Sequence, residues 1–285
     1  GMMAAGTAAE RGASVALIEK NQKNGRKLLI TGKGRCNVTN DCGRDTFFAN
    51  IPVNSKFLYS AFSRFSNRDV MDFFESRGVP LKVERGNRVF PVSDKASDIN
   101  DALISYCRKS GARVIRDCVT DIVMEKGGIT GVMTTSSGYI SCGQCIVATG
   151  GKSYPLTGST GDGYLFAAQA GHTVVSPKPS LVPLVIEGKE CAEAQGLSLR
   201  NIAIKVTEEG SGKVIYSDFG EMLFTHFGMS GPVILSASSH MRDPEKKYSI
   251  TIDLKPALSL EQLDSRIQRD FSENINKNFG NSLAK

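Results

Sequence analysis

Tryptophan is absent from this 285-residue chain, histidine occurs three times and proline ten times. No apolar run approaches the roughly 18 residues that a membrane-spanning helix needs, so no membrane partner is expected. The histidines, at 172, 226 and 240, are too few and too scattered for a histidine metal site. Nothing ahead of the first helix reads as a signal peptide, and the expected location is the cytoplasm. Seven cysteines (36, 42, 107, 118, 142, 145 and 191) form an odd set without the regular framework of a small secreted domain. Reduced thiols are expected. Cys142-Gly143-Gln144-Cys145 has redox spacing, but it enters an apolar strand with no helix after it and no second pair for zinc, so it is assigned neither role.

What is present is the composition of a globular α/β protein, with 40% hydrophobic residues, 22% charged residues and 29 glycines. A chain of this length exceeds what one core usually serves, and two domains are expected. The net charge of +6 is uneven, because residues 1–50 hold eight Lys/Arg against four Asp/Glu. A local basic excess suits a bound pyrophosphate, and the partner expected beside the cofactor is a small-molecule substrate. A nucleic-acid track, which needs an extended basic stripe with aromatic partners, is disfavoured on this count.

Met2 to Arg11 reads as a helix of small residues stopped by Gly12. Val15-Ala16-Leu17-Ile18 then reads as a parallel strand buried on both faces, ending at Glu19. From Asn21 to Asn50 the pattern predicts a long ordered loop, which in compact domains is usually functional. Helices follow over 55–65 and 67–77, the second with Asn67 as its cap, then a hairpin around Arg85-Gly86-Asn87 and a helix ending at Gly111. Residues 114–148 read as a β-meander, and a helix returns at 161–170. After Pro177 the chain becomes β-rich, with strands predicted at 181–187, 200–207, 213–217 and 248–254, and a helical pattern begins at Ser259.

A small-residue helix, a buried strand and a terminal acid are the back half of a dinucleotide fold, in which the acid holds the adenosine ribose. Glu19 takes that place on spacing, although a solvated acid at a strand end reads the same way. Gly1 stands where the last glycine of G-x-G-x-x-G would, or is a remnant ahead of Met2.

Three longer matches sharpen the reading. Glu19-Lys20-Asn21 followed by Gly25-Arg26-Lys27-Leu28-Leu29-Ile30-Thr31-Gly32-Lys33-Gly34-Arg35-Cys36-Asn37-Val38-Thr39-Asn40 resembles the signature after the second strand of HI0933-like flavoproteins. The resemblance implies that Arg35, Cys36, Asn37 and Val38 approach the flavin ring, that Lys27 lies on the phosphate side, and that Lys20, Arg26, Gly32 and Gly34 belong to the same site. Close-packed glycines with Lys and Arg suit an anion. Ile146-Val147-Ala148-Thr149-Gly150-Gly151, with Gly161-Asp162 at the head of a helix, resembles the family's second approach to the cofactor. Asp162 also fits a simple helix cap. Val119, at the start of the meander, joins the implied cofactor contacts. In the β-rich part, Phe224-Thr225-His226-Phe227-Gly228-Met229-Ser230-Gly231-Pro232 resembles the family's F-T-H-x-G-x-S-G-P element. His226 is the implied proton donor or substrate contact, or else a structural histidine.

The resemblance implies a glutathione-reductase-like, Rossmann-type α/β FAD domain over residues 1–180, a β-rich insertion over 181–256 and the start of a helical insertion over 257–285. The family's first strand and its closing segment are expected outside this stretch of sequence. The implied activity is that of an FAD-dependent oxidoreductase that takes electrons from NAD(P)H and passes a hydride through flavin N5 to or from a small organic substrate, for instance at a conjugated double bond. The alternatives are an amine or aminoketone oxidase and a flavin-dependent RNA-modifying protein.

Overall fold

The computed structural model describes residues 1–243 and 245–275. The chain divides into two compact units, Gly1–Ser176 and Pro177–Lys285. The first opens with helix α1 (Met2–Glu10) and strand β1 (Ala16–Glu19), separated by Gly12, whose φ of +89° ends the helix in the left-handed region. Then come α2 (Arg26–Ile30), β2 (Thr39–Asn40), α3 (Arg44–Ala49), α4 (Tyr59–Arg64), α5 (Asn67–Glu75), the hairpin β3 (Leu81–Glu84) and β4 (Arg88–Pro91), α6 (Ala96–Lys109) and β5 (Arg113–Arg116). The meander β6 (Val119–Glu125), β7 (Gly128–Thr134) and β8 (Gly138–Ser141) and helix α7 (Asp162–Gln169) complete the unit.

The dinucleotide-fold character lies in one parallel pair. β1 runs parallel to β5 from Ala16↔Arg113 to Glu19↔Arg116, and α1 and α6 lie together against this pair. Parallel strands need such helical crossovers, and the two helices supply the apolar cover. Small residues make the close approach possible. A Cβ on Gly6 would fall on the ring of Tyr106, whose hydroxyl donates to Glu10 at 2.7 Å. That ring packs edge-on to Phe73 with centroids 5.0 Å apart, inside a core that also holds Phe74, Ile99, Leu103 and Cys36.

Several expectations from the sequence are corrected. β1 is covered less than its apolar letters imply: Ala16 is exposed, and the strand has β5 as its partner among the described residues. Residues 114–116 belong to this parallel pair rather than to the meander. Ile146–Ala148 has the composition of a strand but forms no ladder among the described residues, and Ile146 is 67% exposed. A β-strand is defined by its neighbour, and composition alone does not supply one. The long loop over 21–50 contains two short helices, α2 and α3, because Leu28 and Leu29 have the core beside α6 to pack on. Finally, Ser66 rather than Asn67 caps α5. Its hydroxyl accepts from Asp69 N while the Asp69 carboxylate accepts from Ser66 N at 2.6 Å, a reciprocal capping box. Asn67 is buried and donates to the carbonyls of Asn40 and Cys42 at 2.7 and 2.9 Å, tying α5 to β2.

The second unit is built on a five-stranded antiparallel sheet in the order β13-β10-β11-β12-β9. Its elements are β9 (Leu184–Val185), α8 (Glu190–Glu193), β10 (Ser198–Glu208), β11 (Val214–Thr225), β12 (Gly228–Ser230), α9 (Pro232–Ser238), β13 (Tyr248–Asp253) and α10 (Leu260–Glu273). The strand expected at 181–187 is shorter and that at 213–217 runs on to Thr225. Alternating inward residues Ile202, Ile204 and Val206 of β10 meet Met222 of β11 and Val233, Ile234 and Ala237 of α9 in a closed core. α10 begins at a second capping box, Ser259 with Gln262, and the part of the expected helical insertion beyond residue 275 lies outside the described residues.

Gly6→Ala tests the α1–α6 contact against helix propensity. Alanine is the better helix former by about 1 kcal/mol. The clash with the fixed Tyr106 ring outweighs that gain, and overpacking of this kind costs roughly 1–3 kcal/mol. A urea melt should therefore show the variant less stable, and an unchanged or raised midpoint would contradict the contact.

Candidate cofactor site

A cavity of about 1090 Å³ opens in the first unit, large even for a small-molecule site. Its wall comes from the start of α1, from β1 and the turn after it, from the outer end of the meander and from the stretch that leads into α7. β1 delivers Glu19 at its carboxyl end. One oxygen of Glu19 accepts from the backbone N–H and the side-chain amide of Asn21, each at 2.8 Å. Asn21 is tied further: its side-chain oxygen accepts from Arg26 Nη1 at 2.9 Å, and its backbone carbonyl accepts from Arg116 at 3.2 Å. The acid is therefore oriented by its own turn before any ligand arrives.

Two cations also stand on the wall. Lys20 Nζ donates to Thr160 Oγ1 at 2.8 Å and pairs with Asp162 at 2.6 Å, and this hydrogen bond, helped by Thr160, holds the Asp162 carboxyl below its usual range. Lys27 Nζ donates to the Ser153 carbonyl at 2.7 Å. Gly150, at φ +77°, lies so near Ser159 that a Cβ would meet its hydroxyl at 2.9 Å, which keeps this rim low. Asp162 does not act as the cap of α7; it occupies the first turn, after Gly161 as N-cap.

Of the residues that the sequence assigned to the cofactor, Gly1, Glu19, Lys20, Arg26, Lys27, Val119, Ala148, Thr149, Gly150 and Asp162 line this cavity. Gly151 and Gly161 flank the wall without lining it. Gly32, Gly34, Arg35, Cys36, Asn37 and Val38 lie elsewhere in the unit. Arg35 Nη1 donates to Glu84 at 2.9 Å and to Asp94 at 3.3 Å, and its guanidinium lies 4.0 Å from the Phe90 ring centroid. It clamps the turn over 31–34 to the β3–β4 hairpin. Cys36 sits in the core with φ +63°, and burial pushes its thiol up, away from the reactive thiolate. Cys142 and Cys145 also line the cavity; burial, with Cys142 nearby, raises the Cys145 thiol.

Sequence reasoning missed Asn24 and Asp117. Asn24 is 6% exposed, lines the cavity, and its side-chain oxygen has no hydrogen-bond partner. Such an orphan calls for a ligand or water. The Asp117 carboxylate accepts from the N–H groups of Cys118, Ser136 and Ser137 at 2.8, 3.0 and 2.8 Å, bracing the meander at the cavity wall. Burial alone would raise its pKa, but the Ser137 side chain and these amides outweigh that and hold it well below the usual carboxylate range. Neither residue has a periodic or motif signal to betray it.

In the second unit, His226 and Phe227 form the two-residue turn between β11 and β12, with Thr225 opposite Gly228. The imidazole is exposed and edge-on to Phe227. The rest of that motif is architectural. Gly231, at φ +99°, lies against Met222 Cα, where a Cβ would come within 2.7 Å, and Pro232 starts α9 at the position that tolerates proline.

The sequence profile of the HI0933-like protein Rossmann domain matches residues 1–238. The chain belongs to the HI0933-like family. Its Rossmann-type fold is an FAD-binding one, and the family is one of flavin-dependent oxidoreductases. Among curated proteins, the ribosomal RNA dihydrouridine synthase of Escherichia coli is 30% identical over 100% of this chain and 68% of its own length. That of Haemophilus influenzae is 32% identical over 92% and 63%. The 3-dehydro-bile acid delta(4,6)-reductase of Clostridium scindens is 27% identical over 93% and 63%. The chain thus spans about two thirds of the length of these HI0933-like relatives.

The cavity wall fits such a cofactor: an oriented acid at a strand end, lysines along one side, a glycine-lowered rim and an unpaired buried amide oxygen. Glu19→Ala should lower the FAD retained per polypeptide, read by absorbance after denaturation, while the melting temperature changes little. Full retention would separate Glu19 from the cofactor. Asp117→Asn addresses the wall itself. Its depressed carboxyl adds stability above about pH 4, the unfolded value, that is lost as pH falls toward the folded one. The substituted protein should be less stable at pH 7 and lose less on acidification than the parent, and parallel pH–stability curves would exclude this role.

Proposed function

We propose that the protein is an FAD-dependent reductase that saturates an activated carbon–carbon double bond at the expense of NAD(P)H. The observation that carries the reading is the cavity of the first unit, with Glu19 oriented at the end of β1 and the Lys20–Asp162 pair on the same lining. FAD, when bound, supplies two-electron transfer between a nicotinamide donor and the acceptor. The chain's own part is to hold the cofactor. Glu19 is placed to accept hydrogen bonds from ribose hydroxyls, and the amide groups at the starts of α1 and α7 offer donors to a polar or anionic group. Net reaction balances as the acceptor double bond, NAD(P)H and one proton giving the saturated bond and NAD(P)+.

The names of the relatives support the bond type. Dihydrouridine is uridine with one ring double bond saturated, and a delta(4,6)-reductase removes unsaturation from a conjugated ring system. They differ in the acceptor. We favour a uridine in RNA, because the relatives at 30% and 32% identity act on ribosomal RNA. A small conjugated enone, which the modest overall charge favours and the third relative uses, is the second reading.

Anaerobic mixing with NADH or NADPH tests the donor, and the acceptor is tested on the reduced protein. The expected results are release of FAD on denaturation, bleaching of the flavin by one of the two nucleotides, and dihydrouridine in RNA digests by mass spectrometry. Release of FMN, or a colourless protein that binds NAD, would overturn the cofactor assignment. Turnover of an enone steroid with none on RNA would establish the small-molecule acceptor.

A further inference from the structure

Between β2 and α5 the chain spends 23 residues, Gly43 to Phe65, without burying one of them. The segment is ordered from within. Phe47, Phe48, Tyr59 and Phe62 pack ring on ring, with centroids 4.5 Å apart for Phe47–Phe62 and 4.4 Å for Phe48–Tyr59, and this cluster joins α3 to α4. What it presents outward is unusual for a surface. Phe57 is 85% exposed, Phe65 43% and Tyr59 41%. Isolated exposed apolar residues need no explanation, but three aromatic side chains this exposed within nine residues are a concentration that calls for one.

Charge distinguishes the patch from an oily protein-docking face. Arg44, Lys56 and Arg64 alternate with these rings, Asp45 is the single carboxylate of the segment, and none of the three cations is in an ion pair among the described residues. Lys20, Arg35, Arg68 and Lys82 of this unit are held by carboxylates, whereas Lys23, Lys33 and Lys126 are not, so it is the neighbouring rings and not the missing ion pairs that set these three cations apart. The Arg44 guanidinium lies 5.8 Å from the Tyr59 ring and 6.0 Å from that of Phe48, so it extends the aromatic surface with a cation. Unpaired cations beside solvent-facing rings are the two components by which proteins hold single-stranded nucleic acid: the cations follow the phosphates and the rings stack on bases.

We propose that Arg44, Lys56, Phe57, Tyr59, Arg64 and Phe65 form a contact surface for single-stranded RNA. The proposal rests on the reading of the acceptor as RNA and adds where the strand is held. Phe57 supplies a stacking face and Lys56 and Arg64 supply phosphate contacts. None of these six residues lines the cofactor cavity.

The test measures fluorescence anisotropy of a labelled single-stranded oligouridylate against the purified protein over a salt series, with dihydrouridine formation assayed in parallel. Phe57→Ala should weaken binding about tenfold, the worth of one stacked base. The double variant Lys56→Glu/Arg64→Glu should weaken it and reduce the slope of log affinity against log salt by about 0.7 per lost phosphate contact. Flavin content and melting temperature should stay at the parent values, and Lys126→Glu, at the β6–β7 turn, should bind as the parent does. If the parent binds RNA and both variants bind equally well, the surface is wrong while the RNA reading stands. If the parent neither binds the oligonucleotide nor forms dihydrouridine, the RNA reading itself fails. A dimer that Phe57→Ala dissociates, with RNA affinity unchanged, would assign the patch to self-association instead.

Discussion

The fold of the first unit depends on how closely α1 lies on α6, and one ring sets that distance. Tyr106 occupies the space in which a side chain on Gly6 would stand, donates its hydroxyl to Glu10 and packs against Phe73 and the Arg77 guanidinium, 4.6 Å away. With α1 fixed there, its first residues reach the cavity and β1 runs beside β5, which brings Glu19 to the rim. Cavity and core are thus two ends of one packing arrangement.

The elements that carry their own signal were legible in the sequence. The small-residue helix with its terminal glycine, the hairpin around Gly86 and the amphipathic stripe of α6 stand where periodicity and turn chemistry place them. Partnership was not legible. Residues 146–148 have a strand's letters without a strand's neighbour, and residues 114–116 pair with β1 although they adjoin the meander. The cap of α5 turned on one position: Ser66 and Asn67 both suit a cap, and the burial that assigns Asn67 to two carbonyls is tertiary information.

The candidate site divides in the same way. Spacing located Glu19, and the resemblance brought Lys20, Lys27, Thr149 and Gly150 to the same wall. Arg35 illustrates the converse. A basic residue in a glycine-rich loop reads as an anion ligand, yet here Glu84 and Asp94, distant in sequence, take its charge. Asp117 and Asn24 were invisible because their surroundings, three backbone amides in one case and an empty acceptor in the other, exist only after folding.

The signature around His226 can be sorted by what the backbone demands of it. Gly228 is pressed against the Leu184 carbonyl, Gly231 admits no side chain beside Met222, and Pro232 opens a helix. These letters are constraints of assembly. The imidazole, at the exposed tip of the hairpin, lies edge-on to Phe227 and is under none of these backbone constraints. The glycines and the proline of this motif are thus tied to the path of the backbone, and the histidine ahead of them is not.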